Sequence, residues 1–188
     1  MTEPAPAPHP TRERLIRSAL QLFQSRGYHD VGLAELLQVA GCPKGSLYHH
    51  FPGGKAALAV AVIDWLRDEM VTGFAKSEAR AIPAGKQIEL LFGGTAKWLE
   101  GNGYAQGALL AVMAQEVVPQ DEVLTKAVHA AMRAGIDAFA ASLAAGGGDG
   151  SLAGPVMAML DGAVAQARAA RSPAPVMQAQ AAALRLLG

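Results

Sequence analysis

The side chains with most chemistry to offer crowd into one short run, Lys44-Gly45-Ser46-Leu47-Tyr48-His49-His50, with Lys55 a few positions later. On a helix, Leu47 and Phe51 stand four apart, share a side, and can anchor the segment to a core. Lys44, Gly45, Ser46, Tyr48, His49 and His50 are then left facing outward. One cation, a hydroxyl, a phenol, two imidazoles and a glycine make an odd structural face. They suit a phosphate backbone and base edges well, with glycine allowing close approach. Lys55 opens the next helix, whose first amides can meet a further phosphate. Tyr48 taken alone would be an ordinary surface tyrosine.

Other chemistries fit these residues poorly. Adjacent histidines on a helix diverge by about 100°, and neither His49 nor His50 has a His or carboxylate four residues away to complete a metal site. Gly53-Gly54-Lys55 would need an earlier glycine where His49 stands and a hydroxyl where Ala56 stands to form a phosphate loop. The glycine run 146–150 follows a helix rather than a strand and reads as a flexible connector. Cys42 is the one cysteine, which excludes an internal disulfide and a cysteine metal cluster. Its place before the third helix would suit a redox switch, but a small packed residue is the favoured reading. His129 is the one histidine beyond residue 50, with no nucleophile elbow beside it. No catalytic residue, metal or cofactor is therefore assigned.

The elements that must position the run are all helical. Apolar spacing predicts helices over 11–26, 33–39, 44–50, 55–78, 84–100, 106–117, 120–145, 152–171 and 176–187, with no convincing strand. Thr11 is the expected N-cap of the first and Gly27 its stop; Gly41 ends the second, and Pro43 suits the first position of the third. Three short helices thus precede six longer ones. The fold class is all-α: a tail at 1–10, a front unit at 11–55 with a helix-turn-helix, and a larger helical unit at 56–188. Half of the 188 residues are hydrophobic and 17% charged, ample for a core. Net charge is zero, but residues 1–55 hold six basic and four acidic groups, so the front is mildly positive. The first ten residues lack an apolar stretch, and no long apolar run appears elsewhere, so a cytoplasmic chain without a membrane span is expected.

Gly27-Tyr28, Leu33, Leu36, Ala40-Gly41 and the run from Pro43 to Phe51 together resemble the DNA-binding domain of the TetR family of repressors. The resemblance covers about residues 11–65, and 43–55 is most similar to the LmrA/YxaF-like branch. It implies an all-helical homodimer, recognition helices in successive major grooves of double-stranded operator DNA, and a small-molecule effector pocket in the second unit. Two positions depart from the pattern: Gly32 replaces the usual hydroxyl cap of the second helix, and Pro43 replaces a Ser-like cap of the third.

In the second unit Phe92, Trp98, Tyr104, Met113, Gln115 and Phe139 are candidate pocket residues. Asn102, Gln106 and Glu116 are further polar groups that could orient a ligand. Few fixed charges in this unit point to a neutral or weakly polar, apolar or aromatic effector. The last two helices carry little charge, and Leu152, Val156, Met159, Gly162, Val176 and Leu184 are the candidate dimer interface. The alternatives are an all-helical enzyme and a protein-binding adaptor without DNA binding.

Overall fold

The computed structural model describes residues 10–188. The expected tail, apart from Pro10, lies outside the described residues. Among these residues the elements are α1 Pro10–Arg26, α2 Leu33–Ala40, α3 Lys44–His50, α4 Gly54–Ala79, α5 Ala84–Gly101, α6 Leu109–Val117, α7 Glu122–Ala145, α8 Ala153–Ala170 and α9 Ala174–Leu186. One turn of 3₁₀ helix, Gly150–Leu152, leads into α8.

Leu15, Ile16, Ala19 and Phe23 form the buried side of α1, as their spacing requires. Its start differs from expectation: the helix is under way at Pro10, so Thr11 lies inside it rather than capping it. Gly41 closes α2 in the left-handed conformation, donating to the Gln38 and Leu37 carbonyls. Pro43 takes the N-cap of α3, one position earlier than expected, and neither it nor Gly32 supplies a side-chain cap. The bend between α2 and α3 is held instead by Leu36, Ala40, Leu47 and Phe51, all buried in one cluster with α1.

That cluster does not stop at the front unit. It continues through Leu58, Val62 and Ile63 of α4, Leu109, Met113 and Val117 of α6, and Leu124 and Val128 of α7. A second cluster fills the far end, between α5, the latter half of α7, α8 and α9. The long helices α4 and α7 link the two, running side by side in the same sense. Met70 lies against Gly135, and the rings of Phe74 and Phe139 stack at 4.7 Å.

Buried Gln87 ties α5 to α7, donating to the Ile82 and Ser142 carbonyls and accepting from the Ser142 hydroxyl at 2.7 Å. The glycine run after α7 is part of this packed end, which overturns its reading as a flexible connector. A side chain at Gly146 or Gly148 would strike the backbone or Cβ of Ala84, and one at Gly150 would strike the Ala140 carbonyl. Close approach selects glycine here. Among the described residues no helix is long and apolar enough to cross a membrane.

Candidate DNA-binding face and effector cavity

Leu47 is wholly buried and Phe51 nearly so, which fixes the rotation of α3. Lys44, Gly45, Tyr48 and His49 are exposed as a consequence, with Ser46 and His50 half-buried beside them. The structure thus gathers the six predicted residues of α3 on its outward side. The Lys44 ammonium stands 6.0 Å from the Tyr48 ring centre. The His49 and His50 rings meet edge to face at 4.9 Å, closer than their divergence along a helix suggests. Two groups missed from sequence flank α3, one at each end. Arg12 lies 5.4 Å over the Phe51 ring, and Arg14 reaches the Cys42 sulfur at 3.6 Å. Only the packing of α1 against the α2–α3 bend brings them there.

Lys55 is placed differently from the α3 set. Its ammonium sits 4.3 Å from the Tyr28 ring centre and donates to the His29 carbonyl at 3.5 Å. Partial burial lowers its pKa, against the opposing pull of Glu116 and Asp30. The group is engaged with the turn between α1 and α2, and does not join the exposed face.

That turn is also gripped from the second unit. Glu116, near the end of α6, accepts from the amides of Tyr28 at 2.6 Å and His29 at 2.9 Å. Gly27 has φ +86°, and a side chain there would fall on the Glu116 carboxylate. So Glu116 serves this clasp and does not orient a ligand. The sequence marked Gly27 as a helix stop but carried no sign of its partner, 89 positions on.

A cavity of about 450 Å³ lies between α1, α4, α5, α6, α7 and α8. Leu66, Met70 and Phe74 of α4 face Trp98 of α5, Ile136 of α7 and Leu160 of α8 across it, and Gln24 of α1 forms part of its wall. Of the six predicted pocket residues, Trp98 alone lines it. Phe92, Met113 and Phe139 are fully buried in the two cores, Gln115 is exposed, and Tyr104 is half-buried on the second cluster at φ +62°. Asn102 and Gln106 also lie off the cavity, bonded to each other across the loop before α6. The wall contains one charge that sequence reasoning did not single out, Asp161, whose pKa burial raises.

The predicted interface residues divide as well. Val156 and Val176 have no exposed surface, because each points into its own chain's second cluster, so neither can meet another copy. Leu152, Met159 and Leu184 are half-buried on the rim of that cluster, and Gly162 is exposed.

With this geometry in place, similarity to known proteins becomes decisive. The profile of bacterial regulatory proteins of the tetR family matches residues 15–62. The profile of the LmrA/YxaF-like transcriptional regulator C-terminal domain matches residues 84–182, more than half of the chain. The chain belongs to the TetR family. Its members are DNA-binding transcriptional regulators, mostly repressors, and act as dimers on operator DNA. The regulator LmrA of Bacillus subtilis is 43% identical over 58 residues, 31% of each chain. The regulator YxaF of the same organism is 31% identical over 114 residues, 61% of this chain and 60% of its own. The matched regions therefore span less than two thirds of either relative. The structure of reduced NemR from Escherichia coli superimposes with a TM-score of 0.82 at 27% identity, covering 96% of this chain and 99% of that one. The helix-turn-helix and the helical body of this TetR-family chain thus have counterparts along nearly its whole length.

Proposed function

We propose that this chain is a homodimeric, cytoplasmic repressor that releases a pseudo-palindromic operator when a small ligand with an apolar or aromatic body fills the cavity. In this reading residues 11–55 are the DNA-reading unit and 56–188 the effector and dimer unit. The α3 face, with Lys44, Gly45, Ser46, Tyr48, His49 and His50, enters the major groove. Arg12 and Arg14 lie close enough to meet the adjoining phosphates.

One observation carries the ligand response: the cavity wall and the helix-turn-helix share parts. Gln24 belongs to α1 of the DNA-reading unit and to the wall, and its carbonyl accepts from the Gly107 amide at 2.8 Å just before α6. Leu109 and Leu110 begin α6 in the wall, and Glu116 ends it on the turn before α2. A ligand that shifts α6 must therefore shift or break the contact with Tyr28 and His29. It displaces the equilibrium only by its difference in affinity for the two arrangements, about tenfold for each 1.4 kcal/mol.

The test is a gel shift on genomic fragments selected with the purified protein. Binding should weaken as salt rises and be released by apolar ligands that raise the melting temperature. Salt-independent binding would argue against the docking, and release only by small anions would argue against the cavity.

A further inference from the structure

Asp161 gives the cavity a chemical preference. It is the one charged side chain among the lining residues; the other polar groups there are Gln24, Thr95 and Trp98, all neutral. At helix spacing its neighbours are Met157, Ala158, Val164 and Ala165, so no cation on α8 stands one turn away. Arg168, two turns on, gives one guanidinium nitrogen to the Ala105 carbonyl at 3.1 Å and keeps a buried, unpartnered Nε, and it forms no ion pair with Asp161. Among the described residues the Asp161 carboxylate has no hydrogen-bond or ion-pair partner. Asp161 is half-buried in an otherwise apolar wall, so its carboxylate is only partly solvated, and a cation held in the cavity would pair with it.

We propose that the cavity selects a ligand with an apolar body of about two or three rings and one protonated nitrogen, which pairs with the Asp161 carboxylate. This rests on the reading of the cavity as the effector site. It revises the expectation of a ligand without charge. The body packs against Leu66, Met70 and Leu160, and the rings of Trp98 and Phe74 add surface favourable to a cation. Anionic ligands are disfavoured, because no lining residue is basic and the one charge has the same sign.

The experiment titrates the full chain by calorimetry at neutral pH with three matched probes: biphenyl-4-ylmethylamine, biphenyl-4-ylmethanol and biphenyl-4-carboxylate. The amine should bind at least about tenfold tighter than the alcohol, with the carboxylate weakest. In Asp161→Asn, shown folded by its helical signal and cooperative melting, the ratio of amine to alcohol affinity should fall close to one. An alcohol that binds as tightly as the amine to the unmodified protein overturns the assignment, as does an amine preference that survives in Asp161→Asn. Both results leave the cavity standing as a binding site. Failure of all three probes to bind overturns the effector-site reading together with this inference.

Discussion

Tyr48 is 45% exposed and Lys44 lies over its ring, so neither holds the core together. Lys44→Ala and Tyr48→Phe should change folding stability by less than about 0.5 kcal/mol, as for other surface positions. Operator affinity should drop in both, and Lys44→Ala should flatten the salt dependence by about one unit of slope for each phosphate it no longer neutralises. Anisotropy titrations across a salt series read both quantities; unchanged affinity and slope would exclude the α3 docking. In the ligand-free chain, substitution of Asp161 acts on stability, and in the opposite sense. Burial raises its pKa in the folded chain, so the folded chain keeps this proton to a higher pH than the unfolded chain. Its contribution is fully present below the ordinary carboxylate value of about 4 and is lost as pH rises through the raised one. Ligand-free Asp161→Asn should therefore melt above the unmodified protein at neutral pH, with the gap closing towards about pH 4. Equal melting curves at neutral pH would show that the carboxylate carries no burial cost.

At the scale of elements, the contact of α6 with the α1–α2 turn is the joint on which ligand response depends. Glu116→Ala leaves the Tyr28 and His29 amides without their carboxylate and should cost about 1–3 kcal/mol, measured by denaturant unfolding. Gly27→Ala should cost a comparable amount, since it strains a left-handed position and displaces the same carboxylate. In both variants ligand binding to the cavity should become less able to release DNA. Full release with unaltered ligand dependence would place the coupling elsewhere. Leu47→Ala, by contrast, empties a wholly buried site under α3 and should cost about 2–5 kcal/mol. The helices themselves are legible in the sequence because apolar spacing and glycine stops are local signals. The start of α6 is not, for a tertiary reason. The stretch 106–108 is held outside the helix, where the Gly107 amide donates to the Gln24 carbonyl and the Gln106 amide to the Asn102 side chain. Its pattern alone cannot show where those amides go.

For the molecule as a whole, the sequence distinguishes apolar from polar positions better than it distinguishes core from cavity or interface. Phe92, Phe139 and Met113 fill cores while Phe74, Met70 and Met132 line the cavity, and nothing in residue type separates the two sets. The same limit applies to α8 and α9, where apolar and small residues alike read as an interface. The structure sorts them by face. Val156, Leu160, Ala163, Val164 and Ala167 turn inward, whereas Pro155, Ala158, Gly162, Ala165 and Ala169 form an exposed row at helical spacing. On α9, Met177 and Leu186 are 44% and 49% exposed, with Ala181 between them. The α8 row contains no charged side chain and the α9 side only Arg185 near its end, which is sparse charge for helices facing water and suits a two-fold pairing of α8 and α9 with their copies. Sedimentation at micromolar concentration should therefore give a dimer; a species at the 19.4 kDa chain mass would overturn the pairing. Gly162→Arg tests the face directly. A side chain begun at Gly162 meets nothing within 4 Å in its own chain, so the variant should fold yet place a long cation between the copies. It should sediment as a monomer and bind the palindrome weakly, because one recognition helix alone meets each half-site. Val156→Ala is the matching control: it should cost about 1–2 kcal/mol from the inner core and remain a dimer. If Gly162→Arg stays a tight DNA-binding dimer, the outward row of α8 is not where the two copies meet.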